Sequence, residues 1–243
     1  MKARGLWLLI AAIAAAAGTA RLGWWQLDRA AQKEALQQRL DQRRALPPLQ
    51  GDTLPRTAAD VPPATDRAAV LQGRWLAAHT VHLDNRQHEG RPGFYAVTPL
   101  QLADGGAVLV QRGWLPRDML DRTRIARYET PAGEVRISGR VAERVPRLFE
   151  FDPAASQAGP IRQNLDLDSF ALETRLVLRP WVLIQDDSPG SPADGLLRRW
   201  QAPASGVAKH HGYAFQWFAL SALVIGLYVW FQLIRPRRQQ QRP

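Results

Sequence analysis

The residues best suited to chemistry stand near the end of the chain, in Lys209-His210-His211-Gly212-Tyr213-Ala214-Phe215-Gln216-Trp217. Two imidazoles sit at the mouth of an uncharged apolar run, Gly212 to Ile234. At helical spacing His210, Tyr213, Ala214, Trp217 and Ser221 share one face, at i, i+3, i+4, i+7 and i+11. His211 is turned about 100° away from that face. A neutral imidazole is a good axial ligand for iron, and a porphyrin needs an apolar cleft with aromatic walls. The face therefore predicts a haem site, with His210 as ligand and Tyr213 and Trp217 beside it. The same pattern equally predicts helix packing. Ala214 and Ser221 are small, and so are Ala11, Ala12, Ala14 to Ala17 and Gly18 in the N-terminal apolar run, so two helices could approach closely.

Other candidates are weaker. His79, His82 and His88 could suggest copper or zinc, but positions 79 and 82 of one strand point to opposite faces. They are expected to be solvated polar positions, and no metal site is predicted. Trp25, Gln26, Asp28, Arg29 and Lys33 follow the first apolar run. Arg29 and Lys33 are four apart and share a helix face. They predict either contact with lipid phosphate or a partner surface formed by Trp25, Gln26, Arg29 and Lys33. No cysteine is present, which removes disulfides, zinc-thiolate sites and thiol catalysis. There is no GxSxG, HExxH, P-loop or GxGxxG, and no serine stands in a nucleophile elbow. No catalytic residue is assigned, and the expectation is a protein that is not an enzyme.

The elements that must position these residues are membrane helices. Gly212 to Ile234 would reach about 34 Å as a helix, enough to cross a hydrocarbon core of about 30 Å. Leu6 to Ala20 is a second apolar run, ending near Trp24 and Trp25. It fits either a cleaved signal peptide with Gly18-Thr19-Ala20 as its site, or an uncleaved span. Seven of the 32 Lys and Arg flank the two runs, and the remaining 25 face 22 Asp and Glu, a balance of only +3. The net charge of +10 therefore reports membrane orientation, and a nucleic-acid face is not expected. Lys2 and Arg4 at one end, and Arg235, Arg237, Arg238 and Arg242 at the other, put both termini in the cytoplasm.

Four parts follow: a transmembrane helix over 1–25, a periplasmic β-rich domain over 26–209, a second transmembrane helix over 210–234 and a basic cytoplasmic tail over 235–243. Gln26 to Arg44 reads as a helix prolonging the first span, ended by Pro47-Pro48. Leu49 to Thr65 reads as loop. Val70–Trp75, Thr80–Leu83, Phe94–Thr98, Ala107–Trp114, Val135–Val141 and Arg179–Gln185 read as strands, with Asn85 to Gly93 as a loop and Asp104-Gly105-Gly106 as a hairpin turn. Asn164 to Glu173 reads as a short helix capped by Asp168 or Ser169. Ser188 to Ser205, rich in Pro and Gly, reads as a linker. The predicted class is an α+β membrane protein, with two helices flanking a mostly antiparallel sheet or open barrel.

Four stretches together resemble the Surfeit locus protein 1 family, the cytochrome c oxidase assembly factors of mitochondria and aerobic bacteria. They are Leu22-Gly23-Trp24-Trp25-Gln26-Leu27-Asp28-Arg29 with Lys33; Asn85-Arg86 with Gly90 to Leu100; Val108-Leu109-Val110-Gln111-Arg112-Gly113-Trp114-Leu115-Pro116; and His210-His211-Gly212-Tyr213-Ala214-Phe215-Gln216-Trp217. Gln111 stands where the family often has Asn, and Ala154 to Gly159 matches loosely. The resemblance implies a chaperone of the respiratory chain in the cell inner membrane, with its first span uncleaved. It implies delivery of haem A to the catalytic subunit of the oxidase, with haem A synthase as a further partner. His210 takes the place of the family's proposed haem ligand, and His211 is a lesser candidate. Two alternatives stay open: a structural chaperone that grips the oxidase subunit through Trp25–Lys33 and the sheet without haem, and a membrane-anchored periplasmic enzyme.

Overall fold

The first element is one uninterrupted helix, α1 (Ala3–Arg44), of 42 residues. Its sequence explains its length: an alanine-rich apolar half is followed by Gln, Glu, Lys, Arg and Leu, all good helix formers, with no Pro or Gly after Gly23. Arg43 and Arg44 close it favourably against the helix dipole. At about 63 Å it is twice as long as a hydrocarbon core is thick, so half of it extends beyond. The second long helix, α4 (Val207–Val229), runs on as a wider π-type turn over Trp230–Ile234. Both are long and apolar enough to cross a membrane. The computed structural model describes residues 3–149, 159–187, 194–200 and 206–235. The predicted cytoplasmic tail beyond Arg235, the loosely matched Ala154 to Ala158 and most of the predicted linker lie outside the described residues.

The chain divides into two compact units, one of residues 1–40 and 202–243, the other of residues 41–201. The second unit carries the short helix α2 (Val61–Ala64), strands β1 (Ala68–Trp75), β2 (Val81–His88), β3 (Arg91–Leu102), β4 (Ala107–Pro116), β5 (Glu134–Ala142) and β6 (Ile161–Arg162), helix α3 (Leu167–Thr174) and strand β7 (Leu178–Gln185). The α+β class is as expected, and the sheet goes further than an open barrel. Its order β1-β5-β7-β4-β3 returns to β1 through a β1–β3 pairing, closing a ring of five strands, with β2 and β6 extending from β3. Among these strand pairs, β4–β7 and β2–β6 are parallel and the others antiparallel. Closure removes the sheet edge that would otherwise seek a partner. It depends on Gly73, because a Cβ there would strike the Gln101 carbonyl oxygen across the seam.

Inside the ring, Leu71, Leu100, Val108, Val110, Ile137, Trp181 and Leu183 form one core. On its outer side, Val81, Leu83, Val97, Leu109 and Val182 form a second, covered by Phe170 of α3. Strand β4 is therefore buried on both faces, from Ala107 through Leu115.

Three local expectations are corrected. Asn85 to Gly93 is not a loop: the strands run to His88 and from Arg91, around a two-residue turn with Glu89 (φ 49°) and Gly90 (φ 78°) both left-handed. The cap of α3 is Asp166, whose carboxylate accepts from Ser169 N at 3.0 Å, and not Asp168 or Ser169. Within the predicted linker, residues 194–200 are packed: Trp114 N donates to Leu197 O at 2.7 Å, and Leu197 N to Trp114 O at 2.9 Å.

Candidate functional site

In the helical unit the two long helices meet at their small residues. Ala16, Ala214 and Ser221 are buried, and Ser221 Oγ donates to the Ala16 carbonyl at 2.9 Å. Gly23 lies against the Phe218 ring, which a Cβ at 23 would meet at 2.8 Å. Trp24 meets the same ring edge-on, centroids 6.1 Å apart. The face at Ala214 and Ser221 is thus covered by α1, as the packing expectation has it. Packing wins there because without water the helices gain from close contact and an interhelical hydrogen bond. What is left open is one flank of α4: His210 half-buried at its head, Trp217 half-buried and Tyr213 exposed.

At the head of that flank, His210 Nδ1 lies 2.7 Å from Gln26 Oε1. A carbonyl oxygen only accepts, so this contact fits the His210 tautomer that donates from Nδ1. In that tautomer the lone pair is on Nε2, which makes no hydrogen bond among the described residues. His211 is different. Its Nε2 lies 3.2 Å from Glu34 Oε1, so that nitrogen is engaged and exposed to solvent. The two neighbours therefore differ: Glu34 engages Nε2 of His211, while Nε2 of His210 has no hydrogen bond among the described residues. A half-buried imidazole with a tyrosine and a tryptophan on its flank is of the chemistry that could hold a haem iron.

The predicted surface on α1 is split. Gln26 turns to His210, while Trp25 is 52% exposed. Arg29 Nη1 donates to Gln32 Oε1 at 2.9 Å, and Gln32 passes on to Asp28 at 2.8 Å. Lys33 Nζ lies near Gly206, where α4 starts. Gly18, Arg21, Leu22, Trp24, Trp25 and Asp28 of α1 alone line a cleft of about 630 Å³.

The β unit contains a second concentration of reactive side chains. His82 and His88 are buried, contrary to the expectation of solvated positions, because the hairpin strands extend past them. His82 Nε2 is 2.9 Å from the Tyr128 hydroxyl, and His88 stacks by Trp114 at 5.1 Å. Arg112, 1% exposed, lies over the rings of Trp75 and Tyr128 at 4.6 and 5.3 Å. It donates to Thr130 Oγ1, Glu129 O and Asp194 Oδ2, and Asp194 is also held by Arg198. This cluster clamps two return segments onto β4. Both terminal nitrogens of Arg112 are spent on protein partners, although its Nε and His82 Nδ1 are buried without a hydrogen bond, so the cluster reads as architecture. A buried arginine in the hydrophobic run of β4 was the only sequence signal for it.

Burial pushes the His82 imidazole below its ordinary value, helped by the nearby Arg112 charge, against an opposing backbone hydrogen bond. Burial pushes the Tyr128 phenol up. His82 thus binds a proton less readily in the folded than in the unfolded chain. Stability should be full above pH ~6.5 and fall as the pH drops through that value, by at most about 1.4 kcal/mol per pH unit for one proton. Replacing His82 with Gln is expected to flatten that part of the profile. Denaturation midpoints between pH 5 and 8 read it, and an unchanged difference between pH 5 and 7 would show that another group sets the slope.

Comparison with known proteins agrees with this layout. The family model described as SURF1 family matches residues 13–222. A SURF1-like protein of Dictyostelium discoideum is 24% identical, over 85% of this chain and 89% of the relative. SURF1-like proteins of Rickettsia bellii and Monosiga brevicollis are 23% and 25% identical, over 85% and 87% of this chain and 83% and 82% of the relatives. The matched region runs from the first apolar segment into the second and so includes Gln26, the barrel and His210.

Proposed function

The chain belongs to the SURF1 family, the cytochrome c oxidase assembly factors, and we propose that it presents haem A to the catalytic subunit of that oxidase. The observation that carries the reading is the open Nε2 of His210, set by Gln26 at the head of a flank bearing Tyr213 and Trp217. In this reading His210 supplies one axial bond, and the two aromatic side chains line the macrocycle. A single ligand and an open edge suit a carrier, because the haem must leave again. The chain works as a non-enzymatic factor in the cell inner membrane. Both spans are retained, the first because Ala16 and Gly23 are needed against α4. Lys2, Arg4 and Arg235 hold both termini in the cytoplasm, which puts the barrel in the periplasm. Haem A synthase is a further partner as the source of the cargo.

The test is a visible spectrum of the full chain purified from cells that make haem A, beside His210→Ala. The wild type should carry haem with a histidine-ligated spectrum, and His210→Ala should lose it. Equal haem in both overturns the ligand assignment.

A second reading keeps the oxidase subunit as partner and omits haem. It is favoured by the exposed Trp24 and Trp25 beside the α1 cleft, with Arg29 next to them. Haem-free protein that still co-purifies with the subunit, and loses it on Trp25→Ala, would select this second reading.

A further inference from the structure

We propose that Gln26 is a positioning residue: it holds His210 in the one neutral tautomer whose Nε2 can take an iron. The inference rests on the reading of His210 as haem ligand, and names what prepares that ligand. Neutral imidazole has one N–H and one lone pair. In water the proton favours Nε2, and that tautomer offers a ligand no lone pair there. Some protein group must therefore reverse the preference. Gln26 Oε1, 2.7 Å from Nδ1, is placed to do so by accepting the proton's hydrogen bond. Metal-bound histidines are commonly fixed in this way through their other nitrogen.

The contact is also well anchored. Gln26 is three residues from Gly23, whose missing Cβ lets α1 lie against Phe218. Farther along the same seam, Ser221 Oγ bonds to Ala16 O at 2.9 Å. The helices are thus held in register before any ligand arrives. His211, one residue on, gives an internal contrast: Glu34 engages its Nε2 instead. The orientation of the Gln26 amide is decisive. Were its NH2 to face Nδ1, the proton would sit on Nε2 and the ligand position would be masked.

The experiment uses the full chain in detergent micelles. Histidine ¹⁵N shifts of the haem-free protein, assigned by subtraction of His210→Ala, report the tautomer. Titration with ferric haem B, the probe, reports affinity. Wild type is expected to show Nδ1–H at His210. Gln26→Leu should move the proton to Nε2 and weaken haem binding about 10- to 100-fold. Gln26→Glu, whose carboxylate only accepts, should keep Nδ1–H and bind at least as tightly as wild type.

Nε2–H in the wild type, or a Gln26→Leu protein with unchanged tautomer and affinity, overturns the proposal. A tenfold loss in Gln26→Glu does so as well, and that variant keeps the polar bridge if leucine loosens the helix pair. Unchanged haem affinity in His210→Ala would instead sink the ligand reading, while the tautomer shifts would still decide the role of Gln26.

Discussion

Asp194→Ala is expected to cost about 3–5 kcal/mol, because it strips the carboxylate from two buried guanidinium groups at once. Arg112 and Arg198 are 1% and 8% exposed, and both reach Asp194 Oδ2. The other oxygen accepts from Leu196 N at 3.1 Å, which pins the start of the 194–200 segment. Arg112 would keep Thr130 and Glu129 O, and Arg198 would keep Arg112 O and Asp187. Those contacts supply hydrogen bonds but, Asp187 apart, no compensating charge. At about 2–4 °C per kcal/mol for a domain of this size, the midpoint should fall by about 6–20 °C. Near-ultraviolet circular dichroism of the full chain in detergent reads it. Burial pushes the Arg112 guanidinium below its ordinary value while Asp194 opposes the shift, the same balance seen from the other partner. A triple replacement of Arg112, Asp194 and Arg198 by apolar residues of similar volume should therefore cost less than Asp194→Ala alone. A midpoint within 2 °C of wild type for Asp194→Ala would remove the clamp from this account.

The large features of the molecule were legible because they repeat a simple physical signal. An uncharged run long enough to span a bilayer, and charge confined to its flanks, can be read without a partner in view. Six of the seven strands followed from alternation and from turns such as Asp104-Gly105-Gly106, while the two-residue β6 did not. What could not be read depends on pairing across the chain. Gln26 and His210 are 184 positions apart, and a glutamine carries no signal of its own. Asp194 stood among Pro and Gly, so it read as linker, although Arg112 of β4 and Arg198 of the same segment both required a carboxylate at that point. Asn85 to Gly93 read as loop because its two glycines, its proline and its charges outweighed a two-residue turn at Glu89-Gly90. The face expected on α4 had the right residues, but its small ones are covered by the helix that is the other half of the same hairpin. The face therefore describes packing at Ala214 and Ser221, and leaves the ligand question to its flank at His210, Tyr213 and Trp217.

Trp114→Ala should be comparably severe, at about 3–5 kcal/mol, through a cavity rather than a charge. The ring is 1% exposed. Its Nε1 donates to the Arg86 carbonyl at 2.8 Å, His88 stacks on one side, and the Arg91 guanidinium lies 5.7 Å from its centroid. Alanine removes all three contacts. Phenylalanine keeps much of the burial but not the donor, so it should cost less, about 1–3 kcal/mol. The partner motif is tied to the same ring: a Cβ on Gly93 would strike both Trp114 and the Leu115 carbonyl oxygen. Because that second obstacle is backbone, shrinking the indole does not make room at 93. Adding Gly93→Ala to Trp114→Phe should therefore destabilise further, with no rescue. Denaturant midpoints of the two single variants and the double variant measure the coupling. A double variant more stable than Trp114→Phe would mean that only the ring excludes a side chain at 93. The barrel motifs around Arg86, Gly93, Arg112 and Trp114 then act on function through the amount of folded protein. On this account Trp114→Ala lowers oxidase assembly with protein level, and under the haem-carrier proposal haem bound per folded molecule would stay at the wild-type value.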